Sequence, residues 1–168
     1  DALEAYDLQN LSLCGHSMGG LVALDMVLNH NFVAKEVILV NSIYPTRVAD
    51  ALLAKAKAGN GDAANFIIKY GLYRRLLGMR NAFSEADDLV MLDDLNACNN
   101  YELDLNDIKN LDIPISIILG SKDRLVDLKA VESFIDIVPS QTYTMEEVGH
   151  FSFFEDPEEL SRLISMIV

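Results

Sequence analysis

Three short apolar runs punctuate this chain, and the segments between them carry apolar residues at helical spacing. Leu11-Ser12-Leu13-Cys14, Val37-Ile38-Leu39-Val40 and Ile113-Pro114-Ile115-Ser116-Ile117-Ile118-Leu119 read as buried strands; Thr142 to Val148 reads as a fourth strand. A short helical stretch, Ala2 to Leu8, precedes the first run. After that run Leu21, Leu24, Val27 and Leu28 recur at a helical period, which predicts a helix from Ser17 to about Asn29. Pro45 marks an exit from the sheet after the second run. From there to Ile113 no strand pattern occurs, and helices are predicted over about Arg47 to Ala58, Ala63 to Leu77 and Glu85 to Ala97. Asn60-Gly61-Asp62 separates the first two, with Asp62 as N-cap; Ser84 and Asp87 resemble a capping pair for the third. Asp127 caps a helix running through Leu128, Val131, Phe134, Ile135 and Val138, and Pro157 stands at the favoured first position of a final helix. Strands separated by helices imply an α/β fold with a parallel sheet and right-handed crossovers.

Candidate chemistry sits directly after the first strand. Gly15-His16-Ser17-Met18-Gly19-Gly20 has the form of a nucleophile elbow, G-x-S-x-G at a strand-to-helix turn. Such a turn strains the serine backbone and lifts its oxygen clear of the sheet. A side chain two residues before or after Ser17 would clash across the turn, so Gly15 and Gly19 are expected to be required there. A serine hydroxyl is a poor nucleophile at neutral pH and needs a histidine base, itself oriented by a carboxylate. The chain has 3 histidines. His16 lies inside the elbow and reads as a packed or pocket-edge residue. His30 ends the following helix and reads as a surface residue. His150 follows the last strand and Gly149, where the base of an open parallel sheet belongs. Of the 26 acidic residues, Asp123 stands out on the Gly120-Ser121-Lys122-Asp123 loop past the third strand; its rival Asp127 is better used as a cap.

Serine, acid, histidine is the chain order of α/β-hydrolases. With the elbow G-H-S-M-G-G, the segment "IPISIILGSKD" from Ile113 to Asp123 and "VGHFSFFEDPEEL" from Val148 to Leu160, the chain resembles the C-terminal part of that fold, of the esterase, lipase and haloperoxidase-like kind. "LNACNNYELDLNDI", Leu95 to Ile108, is similar to the stretch that leads out of the family's cap. The resemblance implies core segments at 1–43 and 109–168, a helical cap insert at 44–108, and about four of the family's eight or so parallel strands. It implies Ser17, Asp123 and His150 as catalytic residues, with the Met18 backbone N–H as one oxyanion-hole donor. The family's other donor comes from a loop that has no counterpart ahead of position 17. The missing neighbour also leaves the elbow strand's edge free for association with another chain. These departures make a truncated chain of impaired activity the expectation. A serine nucleophile argues against the family's dehalogenase and epoxide-hydrolase branches. Esterase, thioesterase, lipase, acyltransferase and C–C hydrolase stay open, as do an inactive fragment and a binding module on the same fold.

The predicted cap is apolar, with Phe66, Ile67, Tyr70, Leu72, Tyr73, Leu76, Leu77, Met79 and Phe83; self-packing accounts for most of these, and a few could line an acyl pocket. His16, Tyr44 and Phe151 are the substrate-binding candidates. Arg74, Arg75 and Arg80 cluster near Lys69, which reads either as a solvated helix face or as a dock for an anionic group: a carrier protein's phosphopantetheine arm, coenzyme A or a substrate carboxylate. A net charge of −13 argues against nucleic acid or an anionic membrane surface as partner. No cysteine or histidine cluster has metal-ligand spacing, and no cofactor is expected. Cys14, expected buried, and Cys98, expected at a helix end, need not pair, which fits a reducing, cytoplasmic setting.

Overall fold

The strand runs assemble in chain order. In the computed structural model, which describes residues 11–30, 32–74 and 87–168, β1 (Leu11–His16), β2 (Ala34–Val40), β3 (Ile115–Gly120) and β4 (Ser140–Met145) form a parallel sheet ordered β1-β2-β3-β4. Parallel neighbours need crossovers. The helix α1 (Met18–Asn29) joins β1 to β2, and α6 (Leu128–Ile137) joins β3 to β4. Between β2 and β3 lie α2 (Asp50–Ala58), α3 (Asp62–Gly71), α4 (Asp88–Asn100) and the short α5 (Leu105–Lys109). The one-turn α7 (Ser152–Glu155) and the final α8 (Pro157–Ile167) follow β4. The predicted helix at Ala2 to Leu8 lies outside the described residues.

Side-chain alternation divides the strands between two cores. Val37, Leu39, Ile115 and Ile117 pack against Leu24 and Val27 of α1 and Val131 and Phe134 of α6. Ile38, Val40 and Ile118 point the other way, onto Leu160 and Leu163 of α8. Burial on both faces is why β2 and β3 read as unbroken apolar runs. A third cluster holds the helical insert together: Leu52, Ala56 and Ala63 are buried, with Phe66, Ile67, Met91, Leu92 and Leu95 packed around them.

Several expected boundaries move. β2 begins at Ala34, because Glu36 is buried in the sheet and accepts a hydrogen bond from Ser12 Oγ (2.8 Å). β3 starts only after Pro114, which has no N–H for the ladder. β4 ends at Met145, ahead of Glu147 at φ 56°. α2 starts at Asp50 rather than Arg47. The N-cap of α3 is Gly61, at φ 78°, and not Asp62, which becomes the first helical residue and faces Lys55 (3.9 Å). α3 stops at Gly71, well short of Leu77, because the backbone beyond it bonds elsewhere: Gly71 O accepts from His150 N (2.6 Å). Asp87 caps α4 by accepting from Leu89 N (2.8 Å), while Ser84, Leu76, Leu77, Met79 and Phe83 lie outside the described residues. Asp127 and Pro157 occupy the cap and first-turn positions expected of them. Cys14 is exposed, contrary to expectation. It pairs with Ile38 in the ladder, but the core on that face takes in no residue of β1. Among the described residues no helix is long and apolar enough to cross a membrane.

Candidate active site

The turn from β1 into α1 puts Ser17 at φ 51°, ψ −123°, a positive-φ conformation that a non-glycine residue rarely adopts. Two backbone bonds brace it: Ser17 N donates to Val40 O (3.0 Å) and Gly20 N to Ser17 O (3.0 Å). Met18 opens α1, so its N–H has no acceptor within the helix and faces outward at the positive end of the helix dipole. The glycine expectation holds at one position and fails at the other. A Cβ on Gly15 would overlap the carbonyl of Gly19, whereas a Cβ on Gly19 itself would meet nothing. The second constrained glycine is Gly20, whose Cβ would overlap the Ser42 side chain. Entry into the helix rotates position 19 outward and turns position 20 toward the end of β2.

His150 and Asp123 meet on the loops beyond β4 and β3. His150 Nδ1 lies 2.8 Å from Asp123 Oδ2, with both side chains almost wholly buried. A carboxylate on Nδ1 makes that nitrogen the donor and leaves Nε2 free to accept a proton. Asp123 Oδ1 accepts from the N–H groups of Leu125 (2.8 Å) and Val126 (3.2 Å). Burial alone would raise the Asp123 carboxyl; hydrogen bonds from His150, Leu125 and Asn41, together with the His150 charge, outweigh it and bring the carboxyl below its ordinary range.

Asn41 and Glu155 are the residues that sequence reasoning missed. Asn41 follows β2 at φ 46° and is buried; its Nδ2 donates to Asp123 Oδ2 (2.9 Å) and Gly149 O (3.2 Å). The rule that sites gather at the carboxyl ends of parallel strands could have singled it out. Glu155 is also buried. Its Oε1 accepts from Gly149 N (3.0 Å) and its Oε2 from the N–H groups of Tyr73 (3.0 Å) and Arg74 (2.9 Å). One carboxylate thus ties the histidine loop to the chain leaving α3.

The other candidates are placed as follows. His16 Nε2 donates to the His150 carbonyl (2.7 Å). Desolvation by burial is the main reason the His16 ring is pushed down to about 4, so it is neutral at physiological pH. His30 caps α1 on the surface, 3.2 Å from Asp25. A cavity of about 850 Å³ opens between the sheet and the helical insert, bordered by His16, Ser17, Met18, Asn41, His150 and Phe151. Ser17 and His150 therefore share one cavity, though no hydrogen bond joins their side chains. Tyr44 is not on its wall; the Tyr44 hydroxyl accepts from Leu103 N (3.1 Å) and the ring packs edge-on against Tyr101. Arg74 faces Glu147 (3.6 Å), and Arg75 and Arg80 lie outside the described residues. Cys98 is buried near the end of α4. Among the described residues no group of three or more histidines, cysteines and acidic residues could hold a metal ion.

A sheet with its serine elbow, acid loop and histidine loop at one end is the architecture of the α/β-hydrolases. The model of the alpha/beta hydrolase family matches residues 1–163, and the chain belongs to that family. No curated protein sequence matches it. In fold it is similar to an esterase from Exiguobacterium antarcticum, with a TM-score of 0.86 at 19% identity, over 99% of this chain and 69% of that one. It is also similar to a thermophilic esterase (TM-score 0.80, 23% identity, 92% of this chain and 64% of that one). A third similar structure is an N-acyl homoserine lactone degrading enzyme (TM-score 0.83, 18% identity, 99% of this chain and 71% of that one). At such identities the likeness is one of fold. The chain spans between 64% and 71% of the length of these three proteins.

Proposed function

We propose that this chain carries the catalytic centre of a serine hydrolase acting on a carboxylic ester or thioester. The observation that carries the reading is the buried His150–Asp123 pair at 2.8 Å, whose histidine borders the same cavity as the strained Ser17. In this mechanism His150 Nε2 takes the Ser17 proton as Oγ attacks the substrate carbonyl, and Asp123 holds the ring and stabilises its cation. Met18 N–H donates to the tetrahedral oxyanion. His150 then returns the proton to the departing alcohol or thiol, leaving an acyl-Ser17 ester. Water, deprotonated by His150, attacks that ester and frees the acid.

The helices between β2 and β3, within 44–108, act as the cap over this cavity, with core segments at 1–43 and 109–168. His16 and Phe151 border the substrate. One oxyanion donor is drawn from the described residues, and an oxyanion hole short of one donor turns over about 10² to 10³-fold more slowly. Neither carrier docking at Arg74, Arg75 and Arg80 nor strand pairing along β1 enters this reading; Arg74 already faces Glu147.

The test is labelling of the folded chain by a fluorophosphonate, read by peptide mass spectrometry. Adduct on Ser17, absent from the His150→Ala variant, is the expected result. A chain that keeps its native circular dichroism and takes up no label at Ser17 overturns the proposal.

A further inference from the structure

Four arginines fall among the described residues, and they divide into two kinds. Arg74 and Arg162 each lie against a glutamate, Glu147 at 3.6 Å and Glu159 at 2.7 Å. Arg47 and Arg124 have no carboxylate or hydrogen-bond partner among the described residues, and both border the cavity that holds Ser17 and His150. The chain carries 26 acidic residues against 13 basic ones, yet these two of its four described arginines meet no carboxylate, and both line one cavity.

The two arginines come from separate segments. Arg47 lies on the loop leaving β2, before α2; Arg124 follows Asp123 on the loop beyond β3. Both are exposed and border the cavity. Neither neighbouring acidic group forms an ion pair with these arginines. Asp123 accepts from His150, Asn41, Leu125 and Val126. Asp127, which also borders the cavity, accepts from Lys129 N at 3.0 Å. Much of the remaining lining is apolar: Ile43, Leu52, Phe66, Ile67, Leu95 and Leu125.

We infer that the substrate bears a carboxylate on an apolar acyl chain, and that Arg47 and Arg124 receive that carboxylate while the chain lies along the apolar lining. This deepens the serine-hydrolase reading and rests on it for the fate of the ester, but not for the binding. A chain of net charge −13 repels anions at long range. Two guanidiniums without an ion-pair partner among the described residues set positive charge against that field, and each presents a fork of donors matched to a carboxylate.

The test separates binding from chemistry. In the Ser17→Ala variant, monomethyl adipate and dimethyl adipate are titrated by calorimetry; they share one chain and differ by one charge. The half-ester is expected to bind about tenfold or more tighter, since a charge-assisted contact has about that worth. Arg47→Gln and Arg124→Gln should each remove much of this advantage while leaving the diester within twofold, and added salt should shrink it. Both arginines are exposed and without partners among the described residues, so the variants are expected to fold. Equal affinity for the two probes, no binding of either, or an advantage untouched by both substitutions overturns the inference. A retained preference alongside failure of Ser17 to label would overturn the hydrolase reading and leave the anion site standing.

Discussion

Asn41 donates its side-chain amide to Asp123 Oδ2, the same oxygen that receives the His150 ring N–H. The same amide reaches Gly149 O, and the Asn41 backbone N–H is held by Ile118 O (2.8 Å). One residue at the end of β2 thus holds both the acid and the histidine loop. Asn41→Gly keeps the backbone at its positive φ and deletes only the amide. It should lower stability by about 1–3 kcal/mol in urea melts and slow Ser17 labelling about tenfold in a correctly folded chain. The Asp123 carboxyl should titrate at a higher pH than in the parent chain, because a donor that favours its ionised form has gone.

The elbow glycines should respond oppositely. Gly19→Ala enters a helix facing open space and should be neutral or stabilising by up to about 1 kcal/mol. Gly20→Ala drives a methyl into the buried Ser42 and should lose about 1–3 kcal/mol, part of it regained with Ser42→Gly. Thermal melts of the three proteins decide the matter.

His16 makes stability fall with acid. Its ring is at about 4 in the fold against the usual 6.5, so the unfolded chain binds the proton first as pH drops. The native state should therefore weaken between roughly pH 6.5 and 4, by at most about 3 kcal/mol. Asp123, lowered below its ordinary range, adds a further loss only at more acidic pH. His16→Gln should flatten the first window and leave the second, a difference visible in urea midpoints measured across pH.

Glu155 accepts three backbone N–H groups, and a glutamine cannot replace it. The amide offers one acceptor oxygen and turns its own donors toward the remaining N–H groups. Glu155→Gln should lose about 2–4 kcal/mol and speed hydrogen exchange at Tyr73, Arg74 and Gly149, with little change in the core of β2 and β3. Unchanged exchange at those amides would show that the carboxylate does not couple the two segments.

Local rules carried far in the sequence. Alternation and helical spacing place the strands and α1; capping chemistry places Asp127 and Pro157; the elbow motif marks the turn at Ser17. Each depends on residues a few positions apart, where backbone geometry alone decides which side chains meet. What the sequence did not disclose depends on strand order and register. Asn41 meets Asp123 across 82 positions and Glu155 meets Tyr73 across 82, joined only once β2, β3 and the histidine loop are brought together. Cys14 reads as buried because its run is apolar, and is exposed because the core on its face does not extend to β1. Gly20 rather than Gly19 is constrained because Ser42 arrives from the neighbouring strand's end. Arg47 and Arg124 look like ordinary surface charges until the folded chain sets both at one cavity, neither in an ion pair among the described residues. Periodicity reports how a segment meets its average surroundings; which partner it meets is decided by the packing of the whole sheet.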